Sequence, residues 1–155
     1  MKKIKNPWDD KQGYNCFGCA PDNPIGLKMQ FYEDGDDIVA IWLPGTHHQG
    51  WIDMLHGGII ATLADETAAW VVTRKLQTTG MTVKLNMSYR RPIMIDGKSI
   101  TVRARVDRQM RNFVTIQVEV MDGDLKLCAQ GEAVYCIFDS TRAAQMGFNG
   151  CHLED

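Results

Sequence analysis

One segment constrains the fold more than any other. "HGGIIATLADETAAWVVTRK", residues 56–75, is the one long helical pattern in a chain otherwise patterned for strands. Ile60, Leu63, Ala64, Thr67, Ala68 and Val71 follow the i, i+3, i+4, i+7 stripe, and Arg74 and Lys75 place cations where a helix C-terminus favours them. Ala61, Ala64, Ala68 and Ala69 keep parts of the surface small, which allows close packing on a sheet. A helix from about Gly57 to Lys75 is therefore predicted, and whatever else folds must cover it.

The rest of the chain supplies the cover. Met81, Val83, Leu85, Met87 and Tyr89 alternate with Thr82, Lys84, Asn86 and Ser88, which predicts a strand with one buried and one polar face. The same period recurs over residues 100–107 and 114–120, and residues 125–138 form a less regular strand. "DGK" at 96–98 and "DGD" at 122–124 supply turn chemistry, because Gly and Asp tolerate positive φ. Upstream, Leu27, Met29 and Phe31 alternate with polar residues and Ile38–Leu43 is a continuous apolar run, with "EDGDD" between them, which reads as a first hairpin. The order ββαββββ, ending in a short helical turn at "STRAAQMG", makes an α+β fold: one antiparallel sheet wrapped on one helix. At 155 residues the chain reads as a single domain, 1–155, with an N-terminal leader over 1–24 and a C-terminal extension over 139–155.

Two acids in the middle of this helix need a reason. Asp65 and Glu66 lie between "GGIIATLA" and "TAAWVV", apolar nearly all round, so at least one of them meets a low-polarity cleft or a partner subunit. Burying an unpaired carboxylate costs several kcal/mol or raises its pKa, and acids perturbed in this way concentrate at functional sites. Gly57 and Gly58 supply a complementary part. Glycines at a helix start leave its first N–H groups unobstructed at the positive end of the dipole, where an oxyanion or anionic ligand is favoured. Yet Gly57 and Asp65 are separated by about 12 Å along the helix axis at 1.5 Å per residue, so one helix cannot aim both at one atom. Two antiparallel copies about a twofold axis could, and the site implies a homodimer.

The order ββαββββ, "HQGWIDMLHGGIIATLADE" leading into the helix and "GMTVKLNMSYRRP" opening the next strand resemble the hotdog-fold acyl-CoA thioesterases, specifically the phenylacetyl-CoA-type group. "NCFGCAPDNPIGLKMQF" resembles a leader found in one branch of that superfamily, and the resemblance covers residues 14–138. It implies hydrolysis of an acyl-CoA thioester, with Asp65 activating water or attacking the carbonyl. The Gly57 N–H would form the oxyanion hole, His56 would stand beside the thioester, and Thr82 would help position water. Glu66 is the fallback acid, one position and about 100° around the helix. Gly50 stands where some relatives carry an asparagine near the carbonyl, leaving that contact to Gln49 or to nothing, and Asp53 occupies a place often held by glycine. The chemistry agrees. A thiolate leaves readily, with a thiol pKa of about 8.5, so hydrolysis needs a base or nucleophile and an oxyanion hole but no metal or organic cofactor. Two rival readings of the fold remain: a non-catalytic acyl-CoA sensor, and an enoyl-CoA hydratase or dehydratase.

Other features bear on partners. Cys16 and Cys19 form a CxxC with no second pair, and "APDNP" after it reads as turn, so packing of the leader is expected over zinc or redox chemistry. His47, His48 and His56 lack metal-ligand spacing. Arg90 and Arg91, and also Lys98, Arg108 and Arg111, are cations that could meet coenzyme A phosphates. With 23% charged residues and a net charge of −2, composition argues against nucleic acid. Apolar runs as short as "IVAIWL" argue against a membrane span, and five cysteines without a repeating spacing fit reduced thiols; together these predict a cytoplasmic protein. Hotdog dimers commonly pair further, so a dimer or a dimer of dimers is expected.

Overall fold

The helix forms with the bounds its pattern predicts. In the computed structural model, which describes residues 1–155, α1 runs Gly57–Lys75. Leu63, Ala64, Thr67, Ala68 and Val71 are completely buried, and from Ile59 onward no residue of α1 is fully exposed. A helix with so little intrinsic polar face is held by what covers it, since isolated helices of this length are marginal in water.

The cover is a single antiparallel sheet of seven strands: β1 (Lys2–Lys3), β2 (Phe31–Asp34), β3 (Asp37–Trp42), β4 (Gly80–Tyr89), β5 (Ile100–Met110), β6 (Phe113–Met121) and β7 (Leu127–Ile137). Their spatial order is β1-β2-β3-β5-β6-β7-β4. Ile38, Val102, Val114, Ile116 and Val118 project from it onto α1, within one hydrophobic cluster of 31 buried residues. Six strands and the helix appear in the predicted order. β1 is the addition: two residues pairing with β2 through Lys2↔Glu33 and Lys3↔Tyr32, too short to show a period.

Three local expectations change. Leu27 and Met29 are buried as their alternation predicts, but they lie outside the sheet ladder, because their N–H groups donate to Phe17 O (2.8 Å) and Gly18 O (2.9 Å) of the leader. In the "DGD" turn the left-handed backbone falls on Leu125 (φ +60°), so β7 begins at Leu127, not at residue 125. Gly123 is needed there for space, since a Cβ would lie 2.4 Å from the Cβ of Lys98. In β4 the pairing with β7 slips between Thr82 and Lys84, and this bulge reverses the parity of the strand's first residues. Met81 and Val83, predicted inside, are exposed, and so is Tyr89 at the strand's far end, whereas Thr82 turns toward the helix.

The chain ends close onto each other. α2 (Ser140–Gln145) is capped by Asp139, whose carboxylate accepts from Arg142 N–H at 2.8 Å. Ile4 bridges Leu153, and the Trp8 ring packs 6.0 Å from that of Phe148. Glu33 on β2 pairs with both Arg74 and Lys75 at 2.9 Å, fixing the C-terminal end of α1 to the sheet. No helix is long and apolar enough to cross a membrane.

Candidate active site

The start of α1 is built by the loop that precedes it. His56 is the N-cap, with Nδ1 accepting from Gly58 N–H at 2.8 Å, so the neutral ring carries its proton on Nε2. Of the two glycine N–H groups at this end, Gly58's is therefore engaged, while Gly57's donates to no group of the chain. Tyr89 OH donates to Gly57 O at 2.7 Å and ties the helix start to the end of β4. The loop is folded by its own polar contacts. Asp53 takes φ +62°, the conformation for which glycine is preferred but which Asp tolerates, and its N–H donates to Gln49 Oε1 at 3.0 Å.

These residues open onto a cavity of about 790 Å³ whose wall includes Gln49, Gly50, His56, Gly57, Arg90 and Arg91. Five sequence-predicted residues, spread over more than 40 positions, are thus brought together with Gly50 around one space. Trp51, 80% exposed, stands at its edge. Lys98, Arg108 and Arg111 lie elsewhere: Lys98 pairs with Asp124 at 3.1 Å, Arg108 with Asp107 at 2.7 Å, and Arg111 takes φ +56° in the turn after β5.

Two turns further along α1, Asp65 is partly buried and held from two strands. Thr82 Oγ1 on β4 donates to its Oδ1 at 2.9 Å, and Tyr135 OH on β7 reaches the same oxygen at 2.6 Å and the Asp65 carbonyl at 2.8 Å. Burial, and then the Asp65 charge, push the Tyr135 phenol far above its ordinary pKa, so it remains a donor. With Oδ1 occupied twice the carboxylate cannot rotate freely, and Oδ2 is the oxygen left without a hydrogen-bond partner in the chain. Tyr135 was not a predicted site residue. Its signal was a hydroxyl on the inward face of β7, which Ala129, Gly131 and Ala133 otherwise keep free of polar side chains.

Glu66 points another way. Its Oε1 accepts from Trp70 Nε1 at 3.3 Å and lies 3.4 Å from Cys16 Sγ. Burial raises this carboxyl to about 7, while hydrogen bonding from Cys19, opposed by burial, brings Cys16 down to about 5. Glu66 and Cys16 line a smaller cavity of about 290 Å³ with Trp8, Trp70 and Met146. His48 is also engaged structurally, accepting from Gly45 N–H at 2.9 Å and packing 4.7 Å from the Trp42 ring.

Known proteins share this fold. The model of the thioesterase superfamily matches residues 53–129, the segment that carries the helix start, Asp65 and Thr82. A thioesterase structure from Haemophilus influenzae superposes with a TM-score of 0.66 at 21% identity, covering 73% of this chain and 80% of that one. Thioesterase superfamily member 2 of zebra fish gives 0.65 at 24%, covering 75% and 89%. A hypothetical thioesterase from Streptococcus pneumoniae, solved with coenzyme A, gives 0.65 at 16%, covering 70% and 87%. Among curated sequences, a protein of Saccharolobus solfataricus provisionally named an esterase is 26% identical over 91 residues, which span 58% of this chain and 59% of that one. The chain thus matches only about six-tenths of the length of that relative. Residues 53–129 thus match the thioesterase superfamily, and the architecture of one antiparallel sheet wrapped on one helix is the hotdog fold.

Proposed function

We propose that the protein hydrolyses an acyl-CoA thioester to a free acid and coenzyme A, in a site shared by two copies of the chain. The observation that carries this reading is the split of the machinery along α1. An unpaired Gly57 N–H faces a cavity edged by Arg90 and Arg91, and a carboxylate fixed by Thr82 and Tyr135 sits eight residues on. Asp65 serves as general base or nucleophile, Gly57 N–H receives the oxyanion, His56 stands beside the thioester, and the arginines and Gln49 face the coenzyme A. General-base help is worth roughly 10² to 10⁴ in rate and one oxyanion donor roughly 10² to 10³. The coenzyme A in the Streptococcus pneumoniae structure supports this ligand class.

The homodimer follows from the separation of the two parts, about 12 Å along the axis. β4 lies at the edge of the sheet, with Met81 56% and Val83 44% exposed, and an apolar, unpaired edge of this kind is suited to a second copy. A thiol-release assay on acyl-CoAs of graded chain length and with aromatic acyl groups, run alongside sedimentation of the same sample, tests the reading. Thiol release by a dimer or larger assembly is expected. Binding without release, or hydration of an enoyl-CoA without free thiol, overturns it in favour of a sensor or a hydratase.

A further inference from the structure

The leader closes over the side of α1 opposite in function to Asp65, and it does so through three metal-ligating groups. Cys16 Sγ, Cys19 Sγ and a Glu66 carboxylate oxygen all lie within 4.8 Å of one another, although Glu66 is 47 positions beyond Cys19 in the sequence. We propose that Cys16, Cys19 and Glu66 bind a zinc ion that clamps the N-terminal leader onto the central helix.

The geometry matches the ion. Tetrahedral zinc with Zn–S of about 2.3 Å and Zn–O of about 2.0 Å sets sulfur and oxygen ligands about 3.5 Å apart. Cys16 Sγ and Glu66 Oε1 are 3.4 Å apart. The donor set is equally suited, because paired thiolates select zinc over the oxygen-preferring magnesium and calcium. The loop is also shaped for it. Gly18 permits the approach, since a Cβ there would lie 2.5 Å from Glu66 Cδ. Outer partners are in place as well. Tyr14 OH is 2.9 Å from Cys19 Sγ and Trp70 Nε1 donates to Glu66 at 3.3 Å, contacts that orient ligands. Zinc binding requires both thiolates and the carboxylate, and whatever protons these three groups carry leave to solvent. Three protein ligands leave the fourth position to a water or ligand from the adjoining cavity of about 290 Å³. The sequence alone argued against zinc because a CxxC without a second pair lacks ligands; the fold brings the third from the helix.

The test uses the full chain without a polyhistidine tag, produced with zinc and desalted, with metal measured by mass spectrometry and by cobalt substitution. One zinc per chain is expected, and the cobalt form should show thiolate-to-cobalt charge transfer with the intense bands of a tetrahedral site. Cys16→Ser should lose the metal, and Glu66→Gln should weaken it by at least the roughly 10-fold that loss of an outer-shell partner alone can cost. A chain that takes up no zinc or cobalt at equimolar metal, or one isolated with Cys16 and Cys19 joined as a disulfide, overturns the proposal. The wild-type cobalt spectrum needs no variant to fold, and metal content is read independently of thioester hydrolysis.

Discussion

Asp65 and Glu66 are neighbours in sequence and of the same chemical type, yet the fold treats them as different instruments. Asp65 faces β4 and β7, where two hydroxyls fix one of its oxygens. Glu66, about 100° around the helix, faces the leader, where thiols and an indole surround it and burial raises its carboxyl to about 7. The acid aimed by hydroxyls is suited to reactivity, and the one enclosed by soft donors to holding a cation. What separates them is one helical step, and it determines which partners the rest of the chain can deliver.

The sharpest way to break this assignment is to exchange the acids' fates. Asp65→Asn keeps the size and both hydroxyl partners but removes the base, and should lower kcat by roughly 10² to 10⁴ with the melting temperature little changed. Glu66→Gln should cost far less turnover in the same thiol-release assay. The reverse order would move the catalytic role to Glu66. The other half of the proposed site allows an equally specific test, because proline is favoured at the first helical position and lacks an N–H. His56 already has φ −63° and ψ 132°, the conformation preferred before proline. A Cβ at Gly57 meets nothing closer than the Tyr89 ring at 3.8 Å. Gly57→Pro should therefore fold and lose roughly 10² to 10³ in kcat, while Gly57→Ala, which keeps the N–H, should lose much less. Equal activity of the two variants would remove Gly57 from the oxyanion hole.

Much of this contrast was legible in the sequence, and the exceptions have physical causes. The bounds of α1 and the order of the strands along the chain follow from hydrophobic period, whereas Gln49, His56, Gly57, Arg90 and Arg91 were named through the family resemblance and their meeting around one cavity is seen only in the fold. The facing of Thr82 does not, because period-2 parity assumes an unbroken ladder and the slip beside Val83 inverts it. Tyr135 and the Glu66 cluster were hidden for a different reason. Each depends on a contact between residues 50 or more positions apart, which local pattern cannot register. Asp53 shows the converse: an unexpected residue at a glycine position, explained by a left-handed backbone that Asp tolerates.

The two hydroxyls on Asp65 should rank by how firmly they hold it. Tyr135→Phe removes the 2.6 Å contact from a buried strand position and leaves the ring in place. A hydrogen bond to a charged group is worth about 1.5–3 kcal/mol, so kcat should fall roughly 10- to 100-fold if the full orienting effect is lost. Thr82→Val removes the longer 2.9 Å contact at the sheet edge and should cost less. KM should move little in either variant, since neither hydroxyl lines the larger cavity. A dominant KM effect would show that these groups bind substrate and do not aim the acid.

The smallest effect belongs to the exposed cations at the mouth of that cavity. Arg90 and Arg91 are solvent-exposed and make no ion pair within the chain, so the attraction for coenzyme A phosphates proposed for them would act through high dielectric. An exposed charge pair contributes about 0.2–1 kcal/mol, which corresponds to a KM increase of at most about fivefold for either Arg→Ala variant. Screening makes the signature specific: the increase should be largest at low salt and should fade as the Debye length shrinks to about 8 Å near physiological ionic strength. Because these side chains stand near Gly57 and not beside Asp65, kcat should hold at saturating substrate. A salt-independent loss of kcat would instead place them in the chemistry and dissolve the division between the end of α1 that receives substrate and the acid two turns away.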